Sequence, residues 1–137
     1  VDKKMKEKDV IYISGIIDGE GCIGIFKENP KRKQPVLRPL ISITNSNHQL
    51  LKYLLKRLPR VKPTFYKRDI IFHKNWTLIF RKQEIVESIL KDILPFLVAK
   101  KEQANLVLKF INLRKQNNRY SQEEWKLYTK VKNLNNL

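Results

Sequence analysis

The sequence predicts an α+β fold in the order α-β-β-α-β-β-α-α-α, with four antiparallel strands backed by helices on one face. Three observations predict it. Apolar residues recur at helical spacing in some segments and at alternate positions in others. Sequences that resemble capping boxes begin at Ser46 and at Ser121. Proline- and glycine-bearing stretches punctuate the segments between them.

The first helix starts near Asp9, with Val10, Ile11, Ile13, Ile16 and Ile17 as its apolar positions. Asp18-Gly19-Glu20-Gly21 ends it, because glycine tolerates the backbone that terminates a helix. Residues 22–26 read as a strand, and the basic, proline-bearing residues 27–35 as a turn or loop. Residues 36–44 form a second strand, with Leu37, Ile41 and Ile43 on one face and Arg38, Leu40 and Ser42 on the other. Ser46-Asn47-His48-Gln49 resembles a capping box before an amphipathic helix bearing Leu50, Leu51, Tyr53, Leu54 and Leu55. Residues 61–68 and 70–80 read as two further strands joined by a turn. In the latter, Trp76, Leu78 and Phe80 point one way, and Asn75, Thr77 and Ile79 the other. Residues 84–94 form a third helix closed by Pro95, and residues 100–115 a fourth with Ala104, Val107, Leu108 and Ile111 as its apolar stripe. A capping box at Ser121 and Glu124 opens the last helix, which carries Trp125, Tyr128 and Val131.

Composition narrows the partners. At 137 residues the chain, residues 1–137, reads as one domain of ordinary size. Lys and Arg number 29 against 13 Asp and Glu, a formal net charge of +16 with both signs mixed along the sequence. That field favours a polyanion, DNA or RNA first. There is no run of eighteen apolar residues and no signal-peptide pattern. The cations are scattered over strands and helices, which argues against an amphipathic membrane-surface helix. The lone Cys22 excludes an intrachain disulfide and fits a reducing compartment. His48 and His73 lack zinc-ligand company, and no glycine-rich phosphate loop is present.

One face of the expected sheet carries Arg38, Ser42, Thr64, Tyr66, Arg68, Asn75 and Thr77. These are groups that read base edges and phosphates. An ordinary solvent face also alternates polar residues; the net charge tilts the reading toward binding.

Residues 13–21, Ile-Ser-Gly-Ile-Ile-Asp-Gly-Glu-Gly, join an apolar helix to two carboxylates set among glycines. Gly15 and Gly19 lie one turn apart on one helix face, a spacing that lets two helix backbones approach closely. The segment occurs once, so its natural partner is the same helix of a second subunit. The plainer alternative is that the glycines only loosen and end a helix, and that Asp18-Gly19 is a common turn. Across a two-fold axis, two copies of Glu20 would converge and hold Mg²⁺, which binds one or two carboxylates plus phosphate oxygens.

This segment resembles the signature of the LAGLIDADG homing endonucleases, with Gly15, Asp18, Gly19 and Gly21 matching, Ser14 in place of a small alanine, and Glu20 in place of the usual second aspartate. That family uses both acids at the last position. Residues 94–109, beginning Leu-Pro-Phe-Leu-Val-Ala-Lys, are similar to the single-motif, homodimeric members, and the α-β-β-α-β-β-α order resembles the family over most of the chain. The resemblance implies a homodimer that cuts both strands of a long, near-palindromic DNA site with Mg²⁺, for which Mn²⁺ substitutes. It implies Glu20 as metal ligand, assisted by the Gly19 carbonyl, and Asp18 as a more structural acid beside the site. Lys100 would stabilise charge at the cleavage centre, and Asn45 falls where relatives carry a glutamine that orders its water network. Gln49 is implied in the catalytic set as well, at a position where a close relative has a basic residue. Ser14, Gly15 and Gly19 would meet the partner helix. A free-standing, intron-encoded enzyme of an organelle or an archaeal cytoplasm is implied as well, because 137 residues leave no room for a splicing domain. Two alternatives remain open: an RNA-binding maturase, and a regulator that binds DNA on the same scaffold without cutting it.

Overall fold

In a computed structural model of the chain, residues 5–29, 34–58, 64–70 and 73–136 are described, with the backbone alone for residues 64–70 and 73–75. The first helix, α1, spans Glu7–Glu20 and buries Val10, Ile13, Ser14 and Ile17. Glu7 and Asp9 in its first turn suit the positive end of the helix dipole. Ile11, an apolar position of the expected helix, points away from the core and is 48% exposed. The helix continues through Gly19, so Asp18 and Glu20 both lie on its last turn.

Gly21 turns the chain straight into β1, Gly21–Glu28. A Cβ at Gly21 would stand 2.9 Å from the Cα and from the carbonyl oxygen of Ile17. Only glycine lets a strand leave a helix this abruptly, and the junction leaves Glu20 at the edge of the sheet.

The remaining elements are β2 (Val36–Asn45), α2 (His48–Arg57), β3 (Thr64–Ile70), β4 (His73–Phe80), α3 (Gln83–Ile93), a 3-10 turn over Leu94–Phe96, α4 (Lys101–Gln116) and α5 (Gln122–Asn135). The sheet has four antiparallel strands in the order β1-β2-β4-β3. Leu37, Ile41 and Ile43 of β2, Ile23 and Ile25 of β1, and Leu78 and Phe80 of β4 are buried. They meet Val86, Ile89, Leu90 and Ile93 of α3 and Ala104, Val107, Phe110 and Ile111 of α4 in one core. Burying each such side chain stabilises the fold by roughly 1.5–3 kcal/mol, which pins the strand register because a one-residue slip would expose the whole set.

Two boundaries differ from the sequence reading. Asn47, not Ser46, caps α2, its side chain accepting from the Leu50 amide at 3.2 Å. The cause is Asn45, whose Oδ1 accepts from the Asn47 amide at 2.7 Å and closes the strand end before the helix begins. β3 runs on to Ile70 and β4 begins at His73, where the sequence reading ends one strand at residue 68 and begins the next at residue 70; residues 61–63 and 71–72 lie outside the described residues.

α5 opens on the expected box, Ser121 Oγ accepting from the Glu124 amide and Glu124 Oε1 from the Ser121 amide. The C-terminal region also closes exposed strand backbone. Asn135 Nδ2 donates to the Ile23 carbonyl at 2.9 Å. The Tyr120 hydroxyl accepts from the Leu37 amide at 3.0 Å and donates to its carbonyl at 3.2 Å, beyond the point where β4 stops pairing with β2.

Candidate active site and nucleic-acid interface

Glu20 ends α1 with its side chain exposed. Its Oε2 accepts from Asn45 Nδ2 at 2.6 Å. Because Asn45 Oδ1 is already committed to the Asn47 amide, the amide group of Asn45 is locked with its NH₂ toward Glu20. The last residue of α1 and the last residue of β2, 25 positions apart, thus form one rigid pair.

Asp18, two residues earlier, turns the other way. Its carboxylate accepts from three backbone amides, Val98 at 2.8 Å, Ala99 at 3.1 Å and Lys100 at 3.0 Å. It therefore satisfies the start of α4 from another helix, where a negative charge is favoured. Lys100 in turn donates from Nζ to the Asp18 carbonyl at 2.6 Å. The ammonium stands at the negative end of α1, on the same last turn as Glu20. Cys22, the second residue of β1, lies within the field of Lys100; burial pushes its thiol up and the ammonium opposes that shift. It is a protonated thiol at neutral pH.

Gln49 is exposed on the first turn of α2, in a surface hollow shared with Lys52, Tyr53, Lys56 and Arg57. Its side chain is not part of the Glu20–Asn45 pair.

Ser14 is a correction. Expected at a subunit contact, it is 1% exposed inside its own chain. Its Oγ donates to the Val10 carbonyl at 2.6 Å and lies 3.5 Å from the Ile93 carbonyl. A small side chain that can bond back along its own helix fits where the end of α3 presses on α1. Gly15 and Gly19 do face outward, and a Cβ on either would meet nothing within 4 Å. The fold of one chain therefore has no steric need for glycine at these positions. Around them α1 presents Ile11 and Tyr12, 48% and 45% exposed. The turn docked on the end of α1 adds Phe96 at 37% and Val98 at 85%. Tyr53 of α2 packs edge-on to Tyr12, with ring centroids 5.5 Å apart.

The open face of the sheet carries part of the expected set. Arg38 is exposed there, its Nε donating to Glu28 Oε2 at 3.2 Å. Ser42 is half-buried, in register with Cys22 and with Ile79. Thr77 is a second correction. It is 8% exposed, because its hydroxyl pairs with that of Thr44 across the strands at 2.9 Å. The exposed member of that pair is Thr44. Backbone register sets Thr64 opposite Ile79, Tyr66 opposite Thr77, and Arg68 opposite Asn75. The side chains of Thr64, Tyr66, Arg68 and Asn75 lie outside the described residues.

Three groups on this face escaped the sequence reading: Thr44, Glu28 and Arg81. Arg81 places its guanidinium carbon 5.5 Å from the ring centroid of Phe26, which is in register with Arg38. The signal for Thr44 and Arg81 was the alternation already used, 38-40-42-44 and 75-77-79-81, carried one step further. Among the described residues no three or more His, Cys, Asp or Glu side chains cluster as a metal site.

The architecture has known counterparts. The homing endonuclease I-CvuI, crystallised with DNA, matches at a TM-score of 0.76 and 20% identity over 94% of this chain and 85% of that chain. The archaeal intron-encoded homing endonuclease I-Vdi141I, complexed with DNA, gives 0.75 at 15% identity over 93% and 84%. The LAGLIDADG homing endonuclease I-SmaMI, bound to cleaved DNA, gives 0.69 at 18% identity over 95% of this chain and 43% of that chain. No family model matches the sequence, and no curated protein matches it. The α-β-β-α-β-β-α order with its additional C-terminal helices is the fold of the LAGLIDADG homing endonucleases.

Proposed function

We propose that this chain is a site-specific endonuclease that hydrolyses both strands of a long, near-palindromic DNA target as a homodimer with a divalent metal. The observation that carries the reading is the end of α1. There an outward carboxylate, Glu20, is held by Asn45, and an ammonium, Lys100, is tied to the same turn. Several solved proteins of this fold are complexed with DNA.

The donor set fits a hard divalent cation of the Mg²⁺ type, with Mn²⁺ as a substitute. One chain offers Glu20 and the backbone carbonyl of Gly19 at this place, and such ions accept one or two carboxylates completed by phosphate oxygens and water. A bound ion supplies Lewis acidity and a more acidic water at the scissile phosphate. The chain's own residues do the rest. Asn45 fixes the Glu20 carboxylate in one orientation, so little reorganisation remains when DNA arrives. Lys100 holds positive charge where the phosphate gains negative charge. Asp18 keeps Lys100 and α1 in one rigid unit through residues 98–100.

Two facts support the dimer. Gly15 and Gly19 are open, with Ile11, Tyr12 and Val98 exposed around them, an apolar face a second copy of α1 would cover. The chain also spans 85% of I-CvuI but 43% of I-SmaMI, so two copies approach the length of the longer protein. The open sheet face, with Arg38, Thr44 and Arg81 on a chain of net charge +16, would lie along the major groove of a half-site.

The test is a cleavage selection on a randomised pseudo-palindromic duplex library, in Mg²⁺ and in Ca²⁺, with Glu20→Gln alongside. One symmetric site cut in Mg²⁺ and left intact by the variant is the expected result. Specific binding without cutting would replace this reading with a DNA-binding regulator. RNA affinity without DNA cleavage would replace it with a maturase.

A further inference from the structure

We propose that Glu28 is a positioning residue for sequence specificity. It orients Arg38 so that the two terminal nitrogens of the guanidinium read one guanine per half-site in the major groove. This rests on the DNA-endonuclease reading and names the base that part of the sheet recognises.

The geometry starts from register. β1 and β2 pair Phe26 with Arg38 and Glu28 with Val36, so Glu28 and Arg38 are diagonal neighbours on the open face of the sheet. That diagonal is within reach of long side chains. Nε of Arg38 donates to Glu28 Oε2 at 3.2 Å, and the two side chains are 51% and 37% exposed.

An acid at this place needs a reason. Exposed ion pairs contribute little to stability. On a chain of net charge +16, a carboxylate on the surface that meets DNA also repels phosphate. What it does provide is order. A guanidinium offers five donors in a fixed plane, and committing Nε to Glu28 leaves the terminal pair as its bidentate edge. Guanine O6 and N7 are the base-edge acceptors that such a pair matches. Phe26, directly across from Arg38, supplies an apolar neighbour for its methylene stem. Holding the side chain in place before binding lowers the ordering cost of the contact, so the correct base gains over the wrong one.

The experiment is a binding selection on randomised palindromic duplexes in Ca²⁺, comparing the native chain with Arg38→Ala, Glu28→Ala and Glu28→Gln. The native chain selects G·C at one position in each half-site, and Arg38→Ala loses the preference there. Glu28→Ala lowers discrimination at that same position by ~10-fold while binding non-specific DNA at least as tightly. Glu28→Gln, which keeps an acceptor without the charge, recovers part of the discrimination; a purely electrostatic role would make it behave like Glu28→Ala. The proposal is overturned if Glu28→Ala leaves the Arg38-dependent position unchanged, or if it alters a position that Arg38→Ala does not. If the native chain selects no sequence at all, the endonuclease reading falls first and this proposal with it.

Discussion

Two of the glutamates at helix ends in this chain, Glu124 and Glu20, are treated in opposite ways. Glu124, at the start of α5, is fully buried. Its oxygens accept from Arg114 at 2.7 Å, from Asn117 at 3.0 Å and from the Ser121 amide and hydroxyl. Arg114 is itself stacked over the Tyr120 ring at 4.0 Å. Burial opposes the charge of Glu124, but the hydrogen bonds from Asn117, Arg114 and Ser121 outweigh it and hold the carboxyl below its usual range. Glu20, at the end of α1, is exposed, is gripped by Asn45 alone among the described hydrogen bonds, and sits where the helix dipole disfavours an anion. The difference separates an acid that holds the fold from one presented at the surface, the acid to which the proposed function assigns the cation.

Breaking each glutamate's partners should therefore damage different observables. Glu20→Gln should lower cleavage by at least ~10³-fold, a loss of several kcal/mol of transition-state stabilisation. Its unfolding free energy should stay within about 0.5 kcal/mol of the native chain. Normal cleavage by this variant would remove Glu20 from the chemistry.

Arg114→Met is the reverse case. It strands Glu124 without its cation and should cost about 3 kcal/mol of stability by urea unfolding. Cleavage per folded molecule should be unchanged. A stability loss below about 1 kcal/mol would mean that Asn117 and Ser121 suffice for the carboxylate.

Asp18→Asn lies between the two. It should cost about 2 kcal/mol, since one carboxylate serves three amides. It should also slow cleavage by roughly 10-fold through displacement of Lys100. A stability loss with cleavage intact would separate Lys100 from the reacting centre.

The smallest effect is on pH. Glu124 has a folded pKa below its unfolded value of about 4.3, so its contribution is complete above that value. It is lost as pH falls through the folded pKa. Unfolding free energy measured from pH 6 to pH 3 should fall less steeply in Glu124→Gln than in the native chain. Parallel curves would show that Glu124 is not the responsible group.

Much of this could be read from the chain itself. The helix-strand junction at residues 18–21, the alternation of β2 and β4, and the box at Ser121 are written in local periodicity and short-range chemistry. Gly21 shows why local reading works there: the contact that requires it is with Ile17, four residues away. Ser14 shows where it fails. As a small residue one position before Gly15 it looked fit for a partner helix, yet Ile93, 79 residues away, covers it. Thr77 failed likewise, since alternation gives its face but not the Thr44 hydroxyl that buries it.

By itself, then, the sequence determined the order of elements, the placement of Glu20 at the end of a packed helix, the basic field around it, and the likeness to one nuclease family. Only the tertiary structure decided which acid is consumed and which is presented. Asp18 is taken up by amides 80 to 82 residues away, Glu20 is steadied by Asn45, and Arg38 is paired with Glu28 by strand register. The physical reason is that periodicity encodes which face a side chain occupies. The partner it meets on that face is set by chain closure between segments distant in sequence.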